Sequence, residues 1–341
     1  MFSRRWLILL LGGAAVALLV GRGIAQVYAD YLWYASLGAS DVWSARYSSI
    51  LTLRLLCGAA ATVFVFANLY AVRQSVVSLV LPRRVGNLDI GEEVPRRQLT
   101  SVAAVLSVLI GIALAWSRSD WSGFLAARIG QSFGESDPYF AADLGFFVYR
   151  LPLEISLFNW TMTVVLLVIG IVVTLYALTP SLRWDQGGGG LYVSGYVRRH
   201  LAVLAGVLLL LLAWHYRLET YTVLGNGSAA DGSFTYFDHR VGVPASLLLS
   251  LVTLGAGLTV LWAGWTGQMR LTFAALTGVI VAAVAARQIA PFIARRTMAN
   301  RDPAVRERPY EAIRAGYTRR AFAVDRIIPA DTTLVFSTLS G

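Results

Sequence analysis

The sequence predicts an all-α membrane protein: a polytopic bundle of about seven transmembrane helices with an interfacial helical cap on its outer face. The first observation is composition, because 57% of the residues are hydrophobic and only 14% are charged, against about 25% charged in an ordinary soluble domain. The second is length, because a helix needs roughly 20 apolar residues to cross a hydrocarbon core, and such runs recur along the chain. The runs are apolar throughout, which favours helices over the alternating strands of a barrel.

Seven runs qualify as membrane spans. In chain order they lie near residues 6–27, 49–70, 99–116, 155–178, 201–216, 243–265 and 271–293. The fifth is short, and Arg287 followed by Pro291 interrupts the seventh. We therefore divide the chain into a seven-span domain over residues 1–293 and an extracytoplasmic tail over residues 294–341, which resembles the start of a further domain.

The first run has a second interpretation as a secretory signal. Arg4 and Arg5 precede it, and Val27-Tyr28-Ala29 offers small residues for cleavage. Because apolar character resumes after Arg22, we interpret the run as an uncleaved anchor.

The basic residues indicate how the chain is oriented. All 29 are arginine, and the formal net charge is +10. They concentrate before the first run and in the loops after the second, fourth and sixth, and short arginine-rich loops stay cytoplasmic. We therefore expect a bacterial plasma-membrane protein with a cytoplasmic amino terminus and an extracytoplasmic carboxyl terminus. Arginines at helix ends explain the charge without nucleic acid, so the expected partners are membrane lipids and an envelope or membrane protein.

The sequence lacks the cysteine and histidine motifs of common catalytic and metal sites. Cys57 is the only cysteine, which excludes an internal disulfide and a Cys-x-x-Cys metal site. His-Glu-x-x-His is not present. We predict no catalytic residue and no cofactor, and the balance is against an enzyme. No acid lies deep in a run, which argues against a coupled transporter but leaves a channel or a lipid-handling groove open.

Two groups of polar residues are candidate metal ligands. Glu135, Asp137 and Asp143 could offer oxygen ligands to a hard cation, although their spacing does not match an EF-hand loop. The alternative is structural, with Asp137 before Pro138 capping a turn or a helix start. Asp238 and His239 could join Asp231 in a metal site or an acid/base pair, or lie in a solvated loop.

Residues 133–152, called the island below, are polar, aromatic and rich in turn formers between two apolar runs. Its marker residues are Phe133, Gly134, Asp137, Pro138, Phe140, Asp143, Leu151 and Pro152. Its aromatic rings are too many to leave in water, and its carboxylates are too polar for hydrocarbon. We therefore predict an ordered cap made of a re-entrant or surface helix pair.

A helix is also predicted after the last run. Glu307-Arg308-Pro309-Tyr310 would begin it, with proline in the first turn. Tyr310, Ile313, Tyr317 and Ala321 would share its apolar face. An extended segment over residues 331–336 would follow.

Four separated motifs together resemble a known family. They are Asp30-Tyr31-Leu32-Trp33-Tyr34 with Ser36-Leu37-Gly38, the island, His200-Leu201, and Glu307-Arg308-Pro309-Tyr310 with Thr318-Arg319 and Ala321-Phe322. The resemblance is to uncharacterised protein family 0182, bacterial plasma-membrane proteins with about seven amino-terminal spans and a large extracytoplasmic carboxyl-terminal part. It implies that fold and location but no activity, cofactor or catalytic residue. Arg314 stands where the family usually has asparagine, and the chain stops where the outer region would begin, as a fragment, a truncated gene or a membrane-only relative would.

The leading functional hypothesis is a non-catalytic scaffold or anchor for an extracytoplasmic domain or partner. A transporter or lipid-handling protein is the alternative, and it would need a continuous groove between the spans.

Overall fold

The computed structural model describes residues 4–77, 84–85, 88–89, 96–116, 118, 120–179, 182–185, 190–298 and 302–324. Within these ranges the α-helices are α1 (Arg4–Ser36), α2 (Ser40–Val77), α3 (Arg96–Trp116), α4 (Trp121–Ile129), α5 (Leu151–Ala177), α6 (Gly195–Thr222), α7 (Val243–Thr266), α8 (Met269–Val284), α9 (Ala290–Met298) and α10 (Pro303–Ala321). Two short antiparallel hairpins accompany them, β1 (Arg84–Val85) with β2 (Leu88–Asp89), and β3 (Leu182–Asp185) with β4 (Gly190–Val193).

The predicted helical bundle is confirmed, and 7 helical segments of the described chain are long and apolar enough to cross a membrane. Each overlaps one predicted run, and most extend beyond it. The fifth, for example, runs over Gly195–Thr222 rather than 201–216. The polar ends of these helices keep helical hydrogen bonding where the apolar run stops, so hydropathy alone underestimates their length.

The seventh run is continuous in the structure because a π-helical turn, Ala285–Ile289, joins α8 to α9. Two more π-turns, Phe146–Arg150 and Asp238–Gly242, open α5 and α7. Each π-turn is followed two residues later by a proline: Pro152, Pro244 and Pro291.

These prolines explain the π-turns. Proline lacks the N–H of a regular helix, and its ring clashes with the carbonyl four residues before it. In each case the residue just before the proline donates its N–H to the carbonyl five residues back: Leu151 to Phe146, Val243 to Asp238 and Ala290 to Ala285. The wider turn makes room for the ring and lets the helix continue.

The chain folds as two compact units, Met1–Val197 and Arg198–Gly341. In the first unit, α2 and α3 approach closely through small residues. A Cβ on Gly111 would lie 2.0 Å from Thr62 Oγ1, and one on Gly58 would lie 3.2 Å from the Ala115 Cβ. Buried side chains of α2 and α5 form the core of this unit: Leu53, Ala61, Val65, Val164, Val165, Val168 and Val172.

In the second unit, α6 and α7 cross at a pair of glycines. A Cβ on Gly206 would lie 3.2 Å from the Gly257 carbonyl oxygen, and one on Gly257 would lie 3.3 Å from the Gly206 carbonyl oxygen. Close backbone approach through small residues is the usual contact between apolar helices. Leu209, Val260 and Val279 form a buried cluster that joins α8 to this pair.

Some other glycines of the apolar runs do not contact a neighbouring helix. A Cβ on Gly12, Gly13, Gly255 or Gly278 would meet nothing within 4 Å. The sequence motif alone therefore does not identify which small residues mediate a helix contact.

The turn between α1 and α2 explains one of the four motifs. Gly38 has a φ of +67°, the left-handed conformation that ends many helices and that favours glycine. Its N–H donates to the Ala35 carbonyl at 3.0 Å, and the Ala39 N–H donates to the Tyr34 carbonyl at 2.9 Å. The Tyr47 hydroxyl then donates to the Asp30 carboxylate at 2.7 Å, which ties the two helices together above the turn.

The start predicted for the helix after the last run was wrong. α10 begins at Pro303, and the Asp302 carboxylate caps it by accepting from the Ala304 N–H at 3.0 Å. Pro309 therefore lies inside the helix rather than in its first turn. Of the predicted face, Tyr310 is buried and Ala321 is exposed. The extended segment predicted over residues 331–336 lies outside the described residues.

Candidate functional site

The island is organised around the carboxylate of Asp143. This side chain accepts hydrogen bonds from the Ser132 hydroxyl, from the Phe133 and Gly134 N–H groups at 3.2 Å, and from the Gly145 N–H at 2.7 Å. The Ser132 hydrogen bond, followed by those from the backbone, holds the pKa of Asp143 below its ordinary value. Asp143 thus acts as an acceptor that fixes the path of the backbone.

Asp137 closes a tight turn inside the same loop. Its carboxylate, 5% exposed, accepts from the Tyr139 N–H at 2.9 Å and the Phe140 N–H at 2.8 Å. This is the turn-capping geometry that aspartate before proline favours. The backbone returns through Ala141, whose φ of 53° is left-handed.

The island is not the helix pair that we predicted. Its residues before Leu144 form turns and one isolated bridge between Ser136 and Asp143, and helix begins only at Leu144. Gly145 is required at this junction, because a Cβ there would lie 2.7 Å from Asp143 Oδ1 and 2.9 Å from the Gln131 carbonyl oxygen. The carboxylate network takes the hydrogen bonds that a helix would otherwise make.

Aromatic rings surround this loop. Phe133 stacks on Tyr149 with centroids 5.8 Å apart, and Phe147 contacts Phe146 at 5.2 Å and Phe140 at 6.3 Å. Phe133 is nevertheless 54% exposed. The loop is therefore ordered by its carboxylates and only partly covered by its rings.

In the second unit, the carboxylate of Asp238 likewise fixes the path of the backbone. Its carboxylate is 5% exposed and accepts from the Ser228 N–H at 2.9 Å, the Thr235 N–H at 3.0 Å and the Thr235 hydroxyl at 2.9 Å. It lies at the start of the π-turn that opens α7. One carboxylate thus fixes both the loop over residues 228–235 and the entry to the helix.

α10 is bound to this loop by residues of the Glu-Arg-Pro-Tyr motif. The two Glu307 carboxylate oxygens accept from the Tyr236 N–H at 3.1 and 3.2 Å, and the Tyr310 hydroxyl shares a hydrogen bond of 2.8 Å with His239 Nδ1. Tyr310 is 9% exposed, and its burial raises its pKa. We call Tyr236, His239, Glu307 and Tyr310 the α10 clamp.

Further ring contacts cover the clamp. The Tyr310 ring packs against Phe234, Tyr236 and His239 with centroids 6.0 to 6.2 Å apart. The Arg306 guanidinium lies 5.7 Å from the centroid of the Tyr236 ring. The clamp therefore joins residues about 70 positions apart through both polar and aromatic contacts.

The candidate metal ligands are not gathered into one site. Among the side chains that the structure describes, no group of three or more His, Cys, Asp and Glu residues could hold a metal ion. Glu135 contributes its carbonyl oxygen to the Leu144 N–H at 2.9 Å. Asp231, the suggested partner of Asp238 and His239, accepts from the Ser233 hydroxyl at 2.7 Å and from the Ser233 N–H at 3.1 Å. These bonds, the hydroxyl first, lower the pKa of Asp231.

Sequence reasoning missed several residues that complete these networks. Ser132 and Gly145 donate to Asp143, Thr235 donates to Asp238, and Tyr236 donates to Glu307. Arg118, which no sequence motif singled out, is buried. The proline that follows each π-turn was the one local signal available.

Comparison with known proteins gives one family. The model of the family described as "Uncharacterised protein family (UPF0182)" matches residues 7–335. A UPF0182 protein of Desulforamulus reducens is 26% identical over 96% of this chain and 37% of its own length. One from Geobacter sulfurreducens is 28% identical over 97% of this chain and 38% of its own length. One from Mycobacterium tuberculosis is 28% identical over 92% of this chain and 32% of its own length.

The chain thus spans about a third of the length of the curated relatives it matches. No solved structure matches it.

Proposed function

The chain belongs to the uncharacterised protein family UPF0182, and we propose that it is an integral protein of the bacterial plasma membrane that acts as a non-catalytic scaffold. In this proposal the helical bundle anchors the protein, and α10 carries an extracytoplasmic domain or partner at a fixed position. The 7 long apolar helices support the anchor, since each can span a hydrocarbon core of about 30 Å.

The orientation follows from the arginines and the number of crossings. Arginine-rich short loops place the amino terminus in the cytoplasm, and seven crossings then put α10 on the extracytoplasmic side. The loop over residues 223–237, between the fifth and sixth apolar helices, lies on that side too. That is consistent with the clamp, in which Glu307 of α10 accepts from the Tyr236 N–H of this loop at 3.1 Å.

The clamp is the observation that carries the scaffold role. Its polar groups hydrogen-bond each other across the loop and the helix, so they serve to hold α10 in place. The face of α10 that is turned away from the clamp is exposed and carries Arg308, Ala315 and Arg319. A helix that is fixed on one face and charged on the other is suited to hold a polar partner rather than lipid.

In vivo photo-crosslinking tests this role. A photoreactive residue replaces Ala315, which is exposed on α10, and a matched one replaces Gly170, which is exposed on the apolar helix α5. We expect a discrete protein adduct from position 315 in intact cells and lipid adducts from position 170. The Tyr310→Ala variant, which loses the clamp, should weaken the adduct at 315. No protein adduct at 315, or one that Tyr310→Ala leaves unchanged, would contradict the scaffold role.

A further inference from the structure

Arg118 is a buried cation in the first unit. It is 8% exposed, and its position is fixed on several sides. Its N–H donates to the Ala115 carbonyl at 3.0 Å, its carbonyl accepts from Arg54 Nε at 3.2 Å, and its Nη1 donates to the Ser156 carbonyl of α5 at 3.2 Å. The guanidinium is therefore held between α2, the end of α3, and α5.

The other two nitrogens of this guanidinium lack a partner. Nε and Nη2 of Arg118 are buried and make no hydrogen bond. These two atoms form one edge of the planar group, and their N–H bonds point the same way. That edge is the fork with which arginine binds a carboxylate or a phosphate through two parallel hydrogen bonds.

Among the described side chains, no acid pairs with these two nitrogens of Arg118. The nearby cation is Arg54, which is half-buried and whose guanidinium lies 4.7 Å from the centroid of the Trp116 ring. Cys57, 5% exposed on α2, lies beside the Arg118 guanidinium and offers it a sulfur atom, a weak neutral acceptor that leaves the charge uncompensated. Buried polar groups are nearly always hydrogen-bonded, and a buried charge without a counter-charge is costly.

We propose that the Nε–Nη2 edge of Arg118 binds a phosphate-type oxyanion, and that the positive charge of Arg54, which is hydrogen-bonded to the Arg118 carbonyl, also attracts it. The edge supplies the two parallel donors, and the second arginine adds positive charge near the same residue. The phosphate can belong to a lipid headgroup or be free in solution, and the two sources share this chemistry. The site lies wholly within the first unit and does not depend on the scaffold role or on α10.

Cys57 gives a test that needs no substitution, because it is the only cysteine of the chain. The rate of its modification by N-ethylmaleimide is measured on the full chain in neutral detergent. Two probes are used, each with a phosphate-free control. Phosphatidylglycerol is compared with diacylglycerol, and sodium phosphate is compared with sodium chloride at equal ionic strength. At a probe concentration of about ten times Kd, the fraction of chains with an empty site should fall about tenfold. The labelling rate of Cys57 should fall by the same factor.

Protection by phosphatidylglycerol alone assigns the site to a lipid headgroup, and protection by both phosphate probes assigns it to the phosphate group itself. Protection by neither, or equal protection by diacylglycerol and chloride, overturns the proposal.

The specificity of the edge is tested by Arg118→Lys, which keeps the charge and removes the fork. Arg128→Lys is the matched control, because Arg128 is exposed on α4 in the same unit. We expect Arg118→Lys to lose the protection and Arg128→Lys to keep it, and equal protection in both variants would contradict the assigned edge. If Arg118→Lys does not fold, Arg54→Gln replaces it, because it removes the second positive charge, and a binding constant unchanged from the wild type would again count against the site.

Discussion

Truncation of Glu307 should release α10 from its loop. In the folded chain both carboxylate oxygens of Glu307 accept from the Tyr236 N–H, at 3.2 and 3.1 Å. Glu307→Ala leaves that N–H without its acceptor. A hydrogen bond to a charged group contributes about 1.5–3 kcal/mol, and a loss of about 2 kcal/mol raises the population of the undocked helix roughly 30-fold.

Trypsin cleavage after Arg314 measures this population, because a docked helix must open before a protease can cut it. When α10 closes faster than trypsin cuts, the cleavage rate follows the open population. Glu311→Ala is the matched control, since Glu311 lies on the exposed face of the same helix and its truncation changes helix propensity by the same amount. We expect cleavage of Glu307→Ala to be faster by roughly 30-fold and that of Glu311→Ala to change little. Equal rates for the two variants would refute the clamp.

Three other perturbations have defined outcomes. Tyr310→Phe removes the 2.8 Å hydrogen bond to His239, so the same assay should show about fivefold faster cleavage for a loss of about 1 kcal/mol; an unchanged rate would mean that this bond does not hold α10. Because the pKa of Asp143 is lowered in the folded chain, its contribution to stability is present above the unfolded value of about 3.9 and is lost as the pH falls through the lower folded value. Melting curves between about pH 6 and pH 2.5 should show that loss, with Asp143→Asn lacking this part of the pH dependence, and identical profiles would argue against the network. Gly257→Leu places a side chain where a Cβ would already lie 3.0 Å from Leu210, and it should lower the free energy of unfolding by about 1–3 kcal/mol. Gly255→Leu is the control, because a side chain there enters open space. Equal melting temperatures for the two variants would contradict the α6–α7 crossing.

The bundle could be predicted because each helix is encoded locally. Apolar runs of sufficient length identify the spans, and Arg4, Arg5 and the loop arginines suggest their direction. The π-turns were not predicted, although Pro152, Pro244 and Pro291 mark them, because proline in a sequence equally allows a kink or a helix end. The seventh span was judged interrupted for that reason.

The candidate site depends on contacts that sequence spacing does not encode. Glu307 meets Tyr236 and Tyr310 meets His239 across 71 positions, and a loop between two helices decides that encounter. The carboxylates of Asp137 and Asp143 were predicted to be candidate ligands, and that of Asp137 was also predicted to be a cap. Only the positions of the surrounding N–H groups distinguish these roles. Arg118 was the least predictable residue, because its burial results from the packing of three helices.

Reporter fusions test most directly the claim that seven crossings place α10 outside the cytoplasm. Alkaline phosphatase, which is active only outside the cytoplasm, is fused after Gly341, within residues 228–232, and within residues 86–95. We expect activity at the first two positions and silence at the third. A silent fusion after Gly341 together with an active one within residues 86–95 would contradict this claim.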